Sequence, residues 1–599
     1  MTALLAAAPA VPLALALAWT VPRLRRHAVA LAPWAAAPAL VLALTPRLVD
    51  GQLPTVEGPL LGGLRLALDP TGQAFLLLTA ALWLAVGAFA RTYHARDRHR
   101  ASFFGLFLLT MAGNLGLVVA GDILTFYAFF VLLTFSAWGL VVHERTREAL
   151  RAGRIYIIMT VLADLAILAV LFALGSGAPG GAPGFGAELE TAWAGLTAAG
   201  PGPGLTAALI LLGFGVKAGL LPLHIWLPLA YREAPATASA LLSGAMMKAG
   251  VLAWIRFLPE SLAFPALAAS LIAVGVVAAF FGVVVGLLQD DAKTVLAYSS
   301  VSQIGFIAVV IGVMIRDPSL AAVAVAAATV YALHHGLAKG ALFLAVGVTD
   351  RTPARAGSRG PSRWPTVPLV GALLPALAIA GAPLTTGALA KGALGEATER
   401  LGAAWYHALH PTLLVAAFGT TLLLARFLVL LHRRGAPDRA DPTSGAARTA
   451  LLAPWILLVV GGGMGIFWIP WAVSSPGVAL PGLLHAPLES LLPVVAGVVV
   501  AGAVVRRPGL LGPLGRLRVP VGDLVVPLED VARRVRRVLG ALVTDPRPDT
   551  PRRAWDVLTA GAGRTTQWLA DHDIRLMRGV IVGSIIAVLA ALLVLAGLP

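Results

Sequence analysis

The chain has 599 residues, of which 58% are hydrophobic and only 12% charged, about half the charged share of a soluble domain. Mean hydropathy is +0.85, and the net charge of +16 comes without a basic soluble domain, which excludes a nucleic-acid-binding role. Cysteine is absent, so cysteine-ligated Fe–S clusters, CxxC redox pairs and cysteine zinc sites are excluded as well.

A spanning helix needs about 20 apolar residues. In chain order, apolar stretches of that kind fall at 3–21, 29–46, 72–90, 102–120, 122–142, 155–174, 205–228 and 238–258. They continue at 265–288, 294–314, 320–348, 367–394, 409–431, 450–472, 489–505 and 579–597. That makes roughly sixteen spans. The first lacks the charged leader of a signal peptide and reads as a retained helix.

Connections after odd-numbered spans are basic: Arg23, Arg25 and Arg26; Arg91, Arg96, Arg98 and Arg100; Arg145, Arg147, Arg151 and Arg154; Arg351, Arg355, Arg359 and Arg363; Arg433, Arg434 and Arg439. The other connections hold scattered cations such as Arg47, Arg65, Arg316 and Arg400. The positive-inside rule therefore puts the N-terminus outside, in a chain expected in the cell inner (plasma) membrane. Residues 176–204, rich in Gly and Pro with Glu188 and Glu190, read as an external loop. Within the basic segment 506–578, Val525 to Leu542 with Arg533, Arg534, Arg536 and Arg537 reads as an amphipathic helix on the cytoplasmic membrane surface.

Charged groups at mid-membrane cost roughly 2.5–3.5 kcal/mol each on insertion scales and are candidates for function. Here they are Asp164 in the sixth span, Lys217 in the seventh, Lys248 in the eighth, His334, His335 and Lys339 in the eleventh, and Lys391 in the twelfth. A lysine stripped of water releases its proton more readily, and a carboxylate brought close makes it hold on. Histidine relays protons because its unperturbed pKa is about 6.5. His335 and Lys339 are four residues apart and share a helix face. Two spans carry break signals: the seventh has Pro222 and Pro228, the twelfth Gly381 and Pro383. Interrupted helices in corresponding places of two halves point to a transporter's binding site. Each holds one lysine, and the two lie five spans apart, which suits inverted repeats over spans 4–8 and 9–13.

The stretch Lys217-Ala-Gly-Leu-Leu-Pro-Leu-His-Ile-Trp-Leu-Pro, then Glu233-Ala-Pro and Ser239-Ala-Leu-Leu-Ser-Gly-Ala-Met-Met-Lys248, resembles the signature of the antiporter-like subunits of respiratory complex I, Mrp sodium/proton antiporters and membrane-bound hydrogenases. Asp291-Ala-Lys293, Ala297-Tyr298-Ser299-Ser300, His335-Gly-Leu-Ala-Lys339 and Pro383 through Lys391 follow in the expected order. The resemblance covers roughly residues 100–430. It implies an all-α polytopic membrane protein with about 14 core helices, inverted five-helix repeats and broken helices 7 and 12, here followed by the amphipathic segment and a last span. The chain then divides into N-terminal helices (1–100), a proton-translocating core (101–432), C-terminal helices (433–505), the basic segment (506–578) and a terminal span (579–599).

By the same resemblance, Lys217 is the seventh-helix lysine that pairs with a carboxylate. Lys248, His335 and Lys339 form the central hydrophilic axis, and Lys391 exchanges protons with the outer side. One position departs: where the family carries a fifth-helix glutamate, Phe129-Phe130-Val131-Leu132 has Val131. Asp164 is the expected substitute partner of Lys217. No cofactor or metal ligand set is expected, and a quinone site cannot be assigned from the sequence. The implied partners are other membrane subunits, the lipid bilayer and protons, with sodium less suited to a chain so poor in intramembrane acids. The implied function is a proton-translocating subunit of a complex I-like assembly. The alternatives are a subunit of an Mrp-type cation/proton antiporter, an energising subunit for inorganic-carbon uptake, or a scaffold that no longer pumps.

Overall fold

The computed structural model describes residues 1–45, 55–57, 64–178, 182–198, 202–351, 366–434, 445–473 and 487–507, with 517 and 519–522. The amphipathic stretch 525–542 and the span at 579–597 lie outside the described residues.

The described chain is almost wholly helical. It opens with α1 (Thr2–Thr20), α2 (Arg25–Leu31) and α3 (Ala37–Leu44). A two-stranded antiparallel ribbon follows, β1 (Thr55–Glu57) paired with β2 (Arg65–Ala67), Val56 opposite Leu66. Next come α4 (Pro70–Tyr93), α5 (Arg100–Val118), α6 (Ile123–Val141) and α7 (Arg147–Ser176). Three of these starts are capped in sequence: the side chain of Asp69 accepts from the Gly72 amide, Asp122 from Thr125 (2.7 Å) and Thr146 from Ala149 (3.1 Å).

Residues 176–204, read from the sequence as a loop, contain α8 (Ala187–Ala198). Its Leu189, Ala192 and Trp193 are buried, and the Trp193 indole donates to the Phe257 carbonyl at 3.1 Å. Apolar residues at this i, i+3, i+4 spacing make a helix face, which the surrounding Gly and Pro concealed.

The seventh span is α9 (Gly202–Ala218), a break, and α10 (Trp226–Glu233). Gly219 has φ +76°, a conformation that only glycine adopts at no cost. Pro222 sits in the break, whereas Pro228 continues the first turn of α10. The first helical turn needs no proline N–H, so Pro228 does not interrupt the helix. The eighth span is α11 (Ala236–Leu241), a π-helical turn at Leu242–Met246, and α12 (Lys248–Phe257).

Then come α13 (Pro265–Leu287), α14 (Ala292–Arg316) and α15 (Ala321–Asp350). The twelfth span divides into α16 (Thr366–Ala380) and α17 (Thr386–Glu399), with Gly381 at φ +89° and Pro383 between them. The chain continues through α18 (Ala403–Arg433), α19 (Gly445–Gly463), α20 (Ile469–Val473) and α21 (Pro487–Arg506). Thirteen of the described helical stretches are long and apolar enough to cross a membrane, and Val367–Ala380 and Leu491–Arg506 are shorter apolar helices.

The centre is formed by the eighth, tenth and eleventh spans. Every residue of α11 and α12 is buried, as is α14 from Ala292 to Ile315. Close approach there depends on two glycines. A Cβ on Gly336 of α15 would lie 2.6 Å from the Gly244 carbonyl oxygen, and one on Gly244 3.0 Å from the Gly336 carbonyl. This small-residue contact sets the π turn against α15. It thereby brings Lys248, four residues after Gly244, against His335, the residue before Gly336. Large apolar side chains on α7, including Ile158, Leu162, Leu165 and Phe172, face outward instead, as expected of a helix meeting lipid or another subunit.

Candidate functional site

Lys217 ends the first half of the broken seventh helix and is buried. Its Nζ donates to Thr134 Oγ1 (3.0 Å) and Tyr156 Oη (3.1 Å), from α6 and α7. Nζ also lies 5.4 Å from the ring centres of Phe130 and Tyr156, within cation–π range. The break next to it frees backbone carbonyls, and the Trp226 indole takes up one of them, donating to Val216 O at 2.8 Å. Asp164 of α7 is only 7% exposed, and neither carboxylate oxygen has a hydrogen-bond partner in the structure. The two charges interact through space, but Lys217 is held by hydroxyls and makes no ion pair with Asp164. Thr134, one turn beyond Val131, supplies polarity on the helix where the carboxylate was expected.

At the centre, Lys248 Nζ donates to the Ser243 carbonyl (2.7 Å) and lies 2.8 Å from His335 Nδ1. The π turn provides that carbonyl; such turns often mark functional sites in helices. A 2.8 Å contact between an amine and an imidazole nitrogen holds one proton between two bases. With the proton on Lys248, His335 accepts at Nδ1 and carries its own hydrogen on Nε2. Lys339, one turn along α15, points to α14 and donates to Leu296 O at 2.7 Å.

His334, next in sequence to His335, faces another way. Its Nδ1 lies 2.7 Å from Thr386 Oγ1, at the start of α17. The Thr386 hydroxyl spends its single hydrogen on the Gly462 carbonyl at 2.9 Å. Thr386 therefore accepts, and His334 must carry its hydrogen on Nδ1. Its Nε2 is left as a buried lone pair with no partner. The adjacent histidines thus present opposite tautomers, one able to receive a proton and one able to offer one.

Lys391, in the second half of the broken twelfth helix, donates to the Ala380 carbonyl at the break and lies 5.7 Å from the Phe306 ring centre. It also lines a cavity of about 480 Å³ with Gly381, Glu396, Glu399, Tyr406 and His410. The cavity lies toward the connection between α17 and α18, on the side away from the basic connections.

The sequence candidates thus converge in part: Lys248 and His335 touch, while Asp164 and Lys217 share a neighbourhood without contact. Sequence reasoning missed Thr134, Tyr156, Ser243 and Thr386. Lone hydroxyls in apolar helices give little signal, because most simply bond their own helix, as Thr160 does to the Tyr156 carbonyl (2.9 Å).

Comparison with known proteins decides the family. Residues 120–423, just over half of the chain, match the family model described as NADH:quinone oxidoreductase/Mrp antiporter, TM. The chain belongs to this family. It is 31% identical to NADH-quinone oxidoreductase subunit N of Desulforudis audaxviator, over 72% of this chain and 83% of that protein. It is 30% identical to hydrogenase-4 component B of Escherichia coli, over 47% of this chain and 43% of that protein. Among solved structures, the Mrp complex of Dietzia sp. DQ12-45-1b matches with a TM-score of 0.70 at 26% identity, covering 95% of this chain and 63% of the matched chain. The match to hydrogenase-4 component B thus spans less than half of that protein's length. The family assignment establishes an antiporter-like membrane protein, and Asp164 and the lysines and histidines just described, from Lys217 to Lys391, lie inside the matched core.

Proposed function

We propose that the chain conducts protons along Lys217, Lys248, His335, His334 and Lys391, as one subunit of a multisubunit membrane complex. The observation that carries this reading is the 2.8 Å contact between Lys248 and His335, two bases sharing one proton where both side chains are buried. The opposite tautomers of His334 and His335 give the proton a direction of hand-off toward α17. Lys339 extends the same buried face toward α14. Asp164 and Lys217 form the coupling element: a carboxylate that moved onto Lys217 would hold its proton, and withdrawal onto the hydroxyls of Thr134 and Tyr156 would release it. The breaks at Pro222 and at Gly381 and Pro383, five spans apart, support inverted five-helix repeats. With the basic connections in the cytoplasm, the N-terminus lies outside the inner membrane and the cavity beside Lys391 opens outward.

The relatives named above include a quinone oxidoreductase subunit and a hydrogenase component, which favours a redox-driven complex with the electrons carried by other subunits. The match to the Mrp complex over 95% of the chain favours the second reading, a subunit of a cation/proton antiporter. The test has two parts. The intact complex, purified through a tag on this chain, is reconstituted into vesicles and proton movement is followed with a pH-sensitive dye. Wild type is expected to move protons, and Lys248→Met is expected to stop it. Wild-type transport unaffected by Lys248→Met would refute the axis. Fe–S or flavin proteins in the purified complex mark a redox pump, small membrane subunits alone mark an antiporter, and a soluble zinc-bearing partner marks inorganic-carbon uptake.

A further inference from the structure

Three segments meet just past the basic ends of α4 and α6. His94 follows the last residue of α4, Asp97 lies in the connection to α5, and His143 lies just beyond α6. His94 Nδ1 is 2.7 Å and His143 Nε2 2.6 Å from the same oxygen, Asp97 Oδ2. All three ligand atoms lie within 4.8 Å of one another. Both histidines are 2% exposed, and Asp97 opens to one side at 17%.

Two of the three outer atoms of the cluster are fixed. His94 Nε2 meets Thr237 Oγ1 at 2.9 Å, and Asp97 Oδ1 accepts from the His99 backbone amide at 2.7 Å. His143 Nδ1 is buried and has no hydrogen-bond partner in the structure.

We propose that His94, Asp97 and His143 form a binding site for a divalent transition metal of the zinc class. Two imidazoles converging on one carboxylate, with hydroxyl and amide groups steering the far atoms, form a ligand set of the right chemistry with an outer shell already in place. Metal entry moves the imidazole hydrogens that now point at Asp97 to the opposite ring nitrogens, where Thr237 Oγ1 can accept from His94 Nε2, so neutral imidazoles take up the ion without releasing a proton. Zinc bonds of about 2.0–2.1 Å in tetrahedral geometry need the donor atoms about 3.3 Å apart. Each imidazole nitrogen must therefore draw back from Asp97 Oδ2 by a little over half an ångström, while the two nitrogens, which lie within 4.8 Å of one another, settle at the same spacing. The fourth position falls on the open side of Asp97, for water or for His99, whose ring centre is 6.2 Å from that of His143.

Arg98, Arg145 and Arg351 around the cluster oppose a cation and set an affinity below that of a structural zinc site. Thr237 opens the span that carries Lys248, so a bound ion would tie that span to α4 and α6.

The full chain, purified with a tag free of histidine and stripped with chelator, is titrated with Zn2+ by calorimetry in buffers of different ionisation enthalpy. The expected result is one ion per chain with a heat that hardly depends on the buffer, because neutral imidazoles release no proton, and an X-ray absorption spectrum of the zinc-loaded wild type showing two imidazoles. His94→Ala and His143→Ala should each weaken binding by at least about tenfold, and Thr237→Val by roughly tenfold through the outer shell. The His407→Ala/His410→Ala double variant should bind as wild type does. No saturable uptake by wild type, a spectrum without the imidazole pair, or unchanged affinity in both His94→Ala and His143→Ala would overturn the proposal. The cluster would then be a hydrogen-bonded clamp only. The spectrum of wild type decides the matter even if a variant fails to fold. Zinc binding is read without transport, so the result stands apart from the proton-conducting reading.

Discussion

The two broken helices share a design and differ in how each lysine is used. In the seventh span Lys217 precedes the break and leaves its carbonyls alone; the Trp226 indole takes up the freed Val216 oxygen. In the twelfth span Lys391 follows the break and itself satisfies the Ala380 carbonyl. Lys217 is closed in by aromatic rings and two hydroxyls, with an unpartnered carboxylate nearby. Lys391 borders an open cavity with two glutamates on its wall. Under the proposed function, the closed end would be switched by a moving charge within the protein and the open end would exchange with an aqueous side.

That contrast is broken most directly at the lysines. Lys217→Met and Lys391→Met should each cut proton movement in reconstituted vesicles by roughly 100-fold, the scale of losing a positioned proton-transfer group. If the ends differ as argued, replacement of Lys391 by glutamate, which also exchanges protons with water, should recover much of the rate. The same replacement at Lys217 should not, since it sets two carboxylates together among Thr134, Tyr156 and Asp164. Equal rescue at both positions would erase the distinction.

Asp164 sharpens the comparison, because among the described residues the closed end alone has a buried carboxylate without a hydrogen-bond partner. Asp164→Asn should slow transport about tenfold, which corresponds to ~1.4 kcal/mol of lost charge interaction. Restoring the family's usual carboxylate with Val131→Glu should recover transport in the Asp164→Asn background. Full activity of Asp164→Asn alone would leave Asp164 as a buried group without a transport role.

Much of this geometry was legible before any coordinates. The spans followed from apolar length. The breaks followed from Gly381, Pro383 and Pro222, because a residue that cannot donate or that reverses φ interrupts a helix in any context. The intramembrane lysines and histidines stood out because burial makes them costly. Pro228 misled, since a proline in the first turn of α10 removes no bond the helix would have made. The π turn at Leu242–Met246 was invisible, because it arises where Gly244 and Gly336 bring two backbones together, a tertiary contact with no local pattern. Thr134 and Thr386 were missed for a related reason: only the neighbour that each hydroxyl meets separates it from the many that bond their own helix. The His94–Asp97–His143 cluster depends on His143 arriving from a helix 46 residues away in sequence.

The break glycines give a third, smaller contrast. Alanine at either position faces a positive φ that costs about 1–2 kcal/mol, so Gly219→Ala and Gly381→Ala should lower thermal stability by similar amounts. Their effects on transport should part. A Cβ on Gly219 meets the tip of Leu227 at 2.5 Å, a side chain that can swing aside, whereas one on Gly381 falls 2.8 Å from Lys391 Nζ. Gly381→Ala should therefore slow transport several-fold beyond any loss of folded protein, and Gly219→Ala should not. Stability is read from a melting curve and transport is normalised to folded complex.

The smallest effect is expected at Thr134. Thr134→Val keeps the shape of the side chain and removes one of the two hydroxyls on Lys217, and a hydrogen bond to a charged group contributes about 1.5–3 kcal/mol. Tyr156 still holds Nζ at 3.1 Å, so part of that loss is recovered and transport should fall only about threefold, ~0.65 kcal/mol at RT ≈ 0.59. Tyr156→Phe should act alike, and the double variant should lose far more than the two combined, because it leaves a buried ammonium with neither hydroxyl. That excess should shrink in an Asp164→Asn background if the hydroxyls and the carboxylate are alternative partners of the same ammonium. An excess unchanged by Asp164→Asn would mean that Thr134 and Tyr156 position Lys217 without competing with Asp164, and the switch assigned to the closed end would fail at its central step.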